Sequence, residues 1–117
     1  MTDALFNVEL GYLTTTGRVS GEPRTVEIWF AGRDRSIYML ADNRERTGWV
    51  RNILAEPAVR FRIGEMELAG RGRIVTDPDE AALAGTLLVE KYQAGYEEDL
   101  ARWRVEALPV AIDLDRS

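Results

Sequence analysis

Hydrophobic and polar residues alternate with a period of two along several stretches of this chain, and the alternation predicts its strands. Val8 to Leu13 reads as a first strand running into Thr14-Thr15-Thr16. Thr25 to Ala31 reads as a second, with Thr25, Glu27 and Trp29 on one side and Val26, Ile28 and Phe30 on the other. Ser36 to Ala41 is a third, and the polar turn Gly32-Arg33-Asp34-Arg35 predicts a hairpin between these two. Val59, Phe61 and Ile63 alternate with Arg60 and Arg62, and Gly64-Glu65 turns them onto a return strand reaching about Val75. This register sets Ile63 opposite Met66, Arg62 opposite Glu67 and Phe61 opposite Leu68. Gly70 and Gly72 inside the return strand suggest a bulge or a bend. Leu108 to Leu114 is a final strand, and Pro109 near its start suits an edge position.

Helical spacing occurs in three places. Trp49, Val50, Ile53 and Leu54 predict a short helix over Gly48–Ala55, with Thr47 as N-cap and Pro57 closing it. Asp77 as N-cap, Pro78 at the first helical position and acids in the first turn predict a helix to about Gln93. Tyr96 to about Val105 reads as another short helix. The order is strand, hairpin, short helix, hairpin, helices, strand. It predicts an α+β fold, mainly antiparallel, in which a meander of strands closes into a barrel and so removes its edges.

Composition narrows the chemistry. A length of 117 residues and a hydrophobic content of 45% suit one domain, 1–117, with one core. The chain has no cysteine, which excludes disulfides, zinc–thiolate sites and thiol nucleophiles and fits a cytoplasmic setting. It has no histidine, which removes the commonest general base and metal ligand, and no Ser-His-Asp triad can be built. The acids show no calcium-loop spacing, so no metal site is expected. No apolar run approaches a membrane span, and Met1-Thr2-Asp3-Ala4 lacks the features of a secretory leader. The net charge of −5 argues against general nucleic-acid binding. Residues 75–117 carry 4 basic against 10 acidic side chains, which reads as a solvated helix face. An enzyme of this composition would take its chemistry from a bound cofactor.

Three places could hold such a group. In the loop Gly17-Arg18-Val19-Ser20-Gly21-Glu22-Pro23-Arg24, arginines, hydroxyls and glycine-freed amides suit a phosphate, although the same loop could be a solvated hairpin end. The start of the helix at Thr47-Gly48-Trp49 offers free amides to an anion, with Arg46 and Arg51 adding positive charge. Trp29, Tyr38 and Met39 could line a ring-binding cleft or simply be strand residues, and Glu27 is a possible acid or base. Arg60, Arg62, Arg71 and Arg73 read as an outward face paired with Glu65 and Glu67.

The segments Leu13-Thr14-Thr15-Thr16-Gly17-Arg18 and Ser20-Gly21-Glu22-Pro23-Arg24-Thr25 resemble the deazaflavin-dependent nitroreductase family. The resemblance continues through Tyr38-Met39-Leu40-Ala41 and through Trp49-Val50-Arg51-Asn52-Ile53-Leu54-Ala55-Glu56-Pro57. It covers residues from about 11 to 76, and the tail matches only in layout. It implies a split β-barrel related to the FMN-binding pyridoxamine-phosphate-oxidase fold, binding coenzyme F420 in a groove and passing its hydride to a small electrophile. By position, Arg18, Ser20 and Arg24 would hold the phosphate or acidic tail. Thr25, Ile28 and Trp29 would line the ring side, Leu40, Ala41, Asp42 and Asn43 would touch the ring or ribityl chain, and Gly48, Trp49 and Asn52 would supply contacts at the helix terminus. Val19 stands where the family usually carries a basic residue, and Val50 replaces the usual aromatic. FMN is the alternative cofactor, a non-catalytic carrier of a flavin or other anionic ligand is the alternative role, and no side chain is marked as catalytic. The partners expected are the redox cofactor, a small acceptor and a second copy of the chain in a homodimer.

Overall fold

In the computed structural model, which describes residues 3–115, the seven strands form one antiparallel sheet. A four-residue helix α1 (Asp3–Phe6) precedes β1 (Gly11–Thr16). Then follow β2 (Pro23–Ile28), β3 (Ala31–Arg33), β4 (Ser36–Ala41), helix α2 (Gly48–Ala55), β5 (Ala58–Ile63) and β6 (Met66–Ile74). Helix α3 (Pro78–Tyr92), α4 (Ala101–Glu106) and β7 (Leu108–Leu114) complete the fold. Met1, Thr2, Arg116 and Ser117 lie outside the described residues, as does the start of the leader reading.

The strand order is β2-β1-β5-β6-β7-β4-β3, so β2 and β3 are the two ends of the sheet. They are also joined by only Trp29 and Phe30. Three residue steps span at most about 11 Å. The two ends must therefore meet, and the sheet curls into a barrel that stays open along this line. The architecture is a split β-barrel.

This topology corrects several readings. The predicted second strand is two: β2 pairs with β1 and β3 with β4, so the 25–31 and 36–41 segments do not form one hairpin. The break at Trp29-Phe30 is held by side chains rather than by a ladder. The Phe30 amide donates to the Tyr92 hydroxyl (3.0 Å), and the Phe30 carbonyl accepts from Lys91 Nζ (2.7 Å). Burial pushes the Tyr92 phenol up to about 12 and the Lys91 ammonium down to about 8. The Tyr92 hydroxyl also donates to the Glu9 carbonyl (2.7 Å), and the first strand begins only at Gly11, so residues 8–10 lie outside it.

Strand β7 lies between β6 and β4, so Pro109 is not on an edge and the strands are not a simple meander. The proline is tolerated because β6 ends at Ile74: the Pro109 carbonyl still accepts from the Val75 amide (3.0 Å), and the missing donor falls where the ladder stops. The register of β6 runs unbroken past Gly70 and Gly72, so there is no bulge. A Cβ at Gly70 would stand 2.6 Å from the Asp113 carbonyl oxygen, and one at Gly72 would stand 2.8 Å from Ile53. These glycines let β7 and α2 approach β6. The last helix is shorter than predicted: α4 follows a tight 3-10 turn at Gln93–Gly95. The β5–β6 hairpin has the predicted register at all three pairs.

The two faces of β4 and β7 explain their near-continuous burial. Ile37, Met39, Val110 and Ile112 fill the barrel with Leu13, Phe61 and Ile63, and α2 adds Val50 and Ile53. Tyr38, Leu40 and Ala111 face outward and are covered by Ala84, Leu88 and Tyr92 of α3. A polar clamp fastens the start of α3. Arg73 binds both carboxylate oxygens of Glu80 (2.8 Å each) and also Asp113 (2.7 Å), and the Tyr38 hydroxyl donates to Glu80 (2.8 Å). Of the arginine face predicted on these strands, Arg73 therefore serves Glu80 and Asp113, while Arg60 pairs with Glu67 (3.5 Å) and Arg62 lies over the Tyr12 ring.

The hydrogen bonds from Arg73, and then from Tyr38, hold the Glu80 carboxyl at about 2, and Arg73 likewise lowers Asp113. A carboxyl depressed in the fold stabilises it above the ordinary carboxylate range, and that stabilisation disappears as pH falls through the folded value. Thermal stability is therefore expected to fall as pH drops from 4.5 towards about 2. Glu80→Gln should melt lower at neutral pH and show a flatter acid limb in a series of melting curves.

Candidate cofactor site

Between β1 and β2 the chain makes a self-bonded loop. The Gly17 amide donates to the Glu22 carbonyl and the Gly21 amide to the Gly17 carbonyl, each at 2.8 Å. Gly21 turns the loop at φ 76°, a conformation open to glycine. Ser20 Oγ accepts from the Glu22 amide (3.1 Å) and from Arg24 (3.4 Å). The loop is tied to α2 by one buried amide. Asn52 Oδ1 accepts from the Arg18 amide (3.2 Å) and from Arg18 Nη1 (2.8 Å), while Asn52 Nδ2 donates to Thr15 Oγ1 (3.0 Å). Arg18 Nη1 also reaches the Gly48 carbonyl (3.4 Å).

The start of α2 faces the same place. The first amides of a helix have no partner within it and carry partial positive charge. Thr47, the predicted N-cap, makes no side-chain cap bond here. Its Oγ1 is buried without a hydrogen-bond partner among the described residues. A Cβ at Gly48 would meet nothing within 4 Å, so the helix start is open in front. Arg18, Ser20 and Arg24 thus join Gly48, Trp49 and Asn52 around a hollow of about 440 Å³. Among the described residues its wall has two guanidinium groups and no carboxylate.

A larger cleft of about 890 Å³ adjoins it along the open line of the barrel, and Val26 and Trp49 belong to both. Its wall includes Ile28 at the end of β2 with Trp29 just beyond it, and Leu40 and Ala41 at the end of β4 with Asp42 and Asn43 following. Trp29 is stacked on Tyr92 at 4.3 Å and meets Tyr96 and Trp103 edge-on at 5.4 and 5.7 Å. The Trp103 indole N–H donates to Asp42 Oδ1.

Twelve of the thirteen residues expected at the site line one hollow or the other. Thr25 lines neither. The strand alternates, and Thr25 points to the face opposite Val26 and Ile28, where its hydroxyl pairs with Thr14 (2.7 Å). Arg46 and Arg51 are exposed and line neither hollow. Tyr38 and Met39 are buried away from the cleft, under α3 and in the barrel. Glu27 borders the cleft, but its carboxylate accepts from the Tyr12 hydroxyl (2.9 Å). That bond raises the Tyr12 phenol. Sequence reading missed Tyr96, Glu98, Asp99, Leu100 and Trp103, which form the far wall. Tyr96 and Trp103, set among the acids of the tail, were the signal available.

The profile of the family described as F420H(2)-dependent quinone reductase matches residues 3–115. The chain belongs to this family. The deazaflavin F420 is the coenzyme of this quinone reductase family, in line with the resemblance of the two sequence motifs. A comparison with curated proteins gives no match.

Solved structures share the fold. The conserved hypothetical protein Rv2991 from Mycobacterium tuberculosis is 22% identical, with a TM-score of 0.76 over 99% of this chain and 82% of its own. An F420-H2-dependent reductase (FDR-A) is 23% identical, with a TM-score of 0.69 over 91% of this chain and 93% of its own. A Listeria innocua protein assigned to the pyridoxamine 5′-phosphate oxidases is 13% identical, with a TM-score of 0.71 over 96% of this chain and 88% of its own.

Proposed function

We propose that this member of the quinone reductase family holds reduced F420 across both hollows and lets its hydride pass to a small electrophilic acceptor. The observation that carries the reading is the continuity of the two hollows at Val26 and Trp49. It sets a pocket lined by two arginines beside an aromatic-walled cleft of about 890 Å³. The chain's donors fit such a ligand: two guanidinium groups, the open amides of α2 and the unpartnered Thr47 hydroxyl all border these hollows.

Arg18, Arg24 and the Gly48 and Trp49 amides would bind the phosphate or acidic tail, with Ser20 and Asn52 orienting the arginines. Ile28, Trp29, Leu40 and Trp49 would flank the ring, with Ala41, Asp42 and Asn43 beside it. When bound, the reduced coenzyme would supply the hydride, and the chain would supply its position and the local field. Solvent at the open side of the cleft can deliver the proton.

Titration of the purified protein with F420 and with FMN tests the reading. Saturable F420 binding, followed by return of the oxidised coenzyme's visible absorbance when a quinone is added to the reduced complex, is expected. Binding without turnover would make the protein a carrier, and preference for FMN would move it to the flavin branch of the fold. A cytoplasmic homodimer completes the proposal, and sedimentation equilibrium tests the dimer. Among the described residues no helix is long and apolar enough to cross a membrane.

A further inference from the structure

The two ends of the composite cleft differ in charge. Arg18 and Arg24 stand at the smaller hollow, where no described acid shares the wall with them. The far end of the larger one is lined by Asp42, Glu98 and Asp99. Among the described residues the one cation in that wall, Arg102, is paired with Glu106 at 2.8 Å. The Asp42 carboxylate is held in place by the Trp103 indole, and the Asp99 carboxylate by the Ala101 amide (2.9 Å). Beside these carboxylates lie the rings of Trp29, Trp103 and Tyr96. Aromatic faces attract cations, and a recessed cleft of one sign concentrates ligands of the other.

We propose that this acidic, aromatic end is the acceptor's side of the cleft and selects uncharged or cationic acceptors over anionic ones. The inference rests on the functional reading above and adds to it the charge class of the second substrate. It predicts that an acceptor bearing a quaternary ammonium binds at least as well as its uncharged parent. A sulfonate on the same ring is repelled.

The protein offers a direct readout, because all three tryptophans of the chain, Trp29, Trp49 and Trp103, line the larger cleft. The probes are three naphthoquinones of one ring system, carrying no charge, a trimethylammonium group or a sulfonate. Tryptophan quenching in low salt should rank them cationic, then neutral, then anionic. About tenfold should separate the first from the last. High salt should compress the ranking by screening. So should the double substitution Glu98→Gln with Asp99→Asn, which removes both charges and keeps a side-chain oxygen to accept from the Ala101 amide. Repeating the series on Arg18→Met with Arg24→Met removes the arginine end as a landing place for the sulfonate.

A flat ranking, or a sulfonate that binds best in that arginine-free variant, overturns the inference even if F420 binds normally. A protein that refuses F420 but keeps the ranking leaves the inference standing and removes the coenzyme reading instead.

Discussion

Replacing Arg18 and Arg24 together by methionine is expected to weaken F420 binding by about two orders of magnitude, which makes it the largest functional effect in this molecule. A hydrogen bond to a charged group is worth about 1.5–3 kcal/mol, and each 1.4 kcal/mol is about tenfold in affinity. Because both arginines stand at a solvent-open hollow, the lower end of that range is the appropriate one, at about tenfold per residue. The single substitutions should differ in kind. Among the described residues the one side-chain hydrogen bond of Arg24 is to Ser20, so Arg24→Met should lower affinity and leave melting nearly unchanged. Arg18 also bonds Asn52 and the Gly48 carbonyl, so Arg18→Met should lower both. Isothermal titration at two salt concentrations gives the check: wild-type affinity should fall with salt, and that of the double variant should barely move. An unaltered Kd in the double variant would place the tail elsewhere.

The ends of the cleft were legible to different degrees for a physical reason. The arginine-lined end is built by local chain: a glycine-turned loop and a helix start, each announced by residue types whose chemistry is local. Arg18, Ser20, Arg24, Gly48 and Trp49 were therefore readable one by one. The opposite end is made by Tyr96, Leu100 and Trp103, which are remote in sequence from Trp29 and Leu40 and share a wall with them only through the tertiary fold. No periodicity records such a meeting. Thr25 lies outside both hollows for a smaller reason: a motif supplies positions in order, but not that the Thr25 hydroxyl is turned to Thr14 on the neighbouring strand.

The fold shows the same division. The β5–β6 register and the bounds of α2 follow from alternation, a two-residue turn and one proline, all of them local signals. The exchange of partners at Trp29-Phe30 could not be read, because it is fixed by Tyr92 and Lys91, some sixty residues further on. Pro109 argued for an edge and sits in the middle of the sheet, since what matters is whether its missing donor faces a strand or the end of one. Gly70 and Gly72 suggested a bulge or a bend, but the register is continuous there and the glycines answer instead to crowding by β7 and by Ile53, which no local signal records.

Asn52 is where fold and function can be separated by one substitution. Its side chain is buried and every polar atom of it is engaged within the protein, so it acts on a ligand through Arg18 and the loop rather than by touching it. Asn52→Leu keeps the volume and strands the Thr15 hydroxyl and the Arg18 amide. Stranded buried polar groups cost about 1–3 kcal/mol each, so a loss of about 3 kcal/mol, or about 10 °C in Tm for a chain of this size, is expected. Coenzyme affinity should fall with it, because the loop loses its tie to α2. Asn52→Asp has a different expectation. A carboxylate can accept from the Arg18 amide, from its guanidinium and from the Thr15 hydroxyl, so melting should recover most of what leucine loses. The same carboxylate would neutralise Arg18 next to the α2 amides and repel an anionic tail, so F420 affinity should stay low. Recovery of stability without recovery of binding is the signature of a residue that positions the anion pocket. If Asn52→Asp bound F420 as the wild type does, the tail would not lie against Arg18.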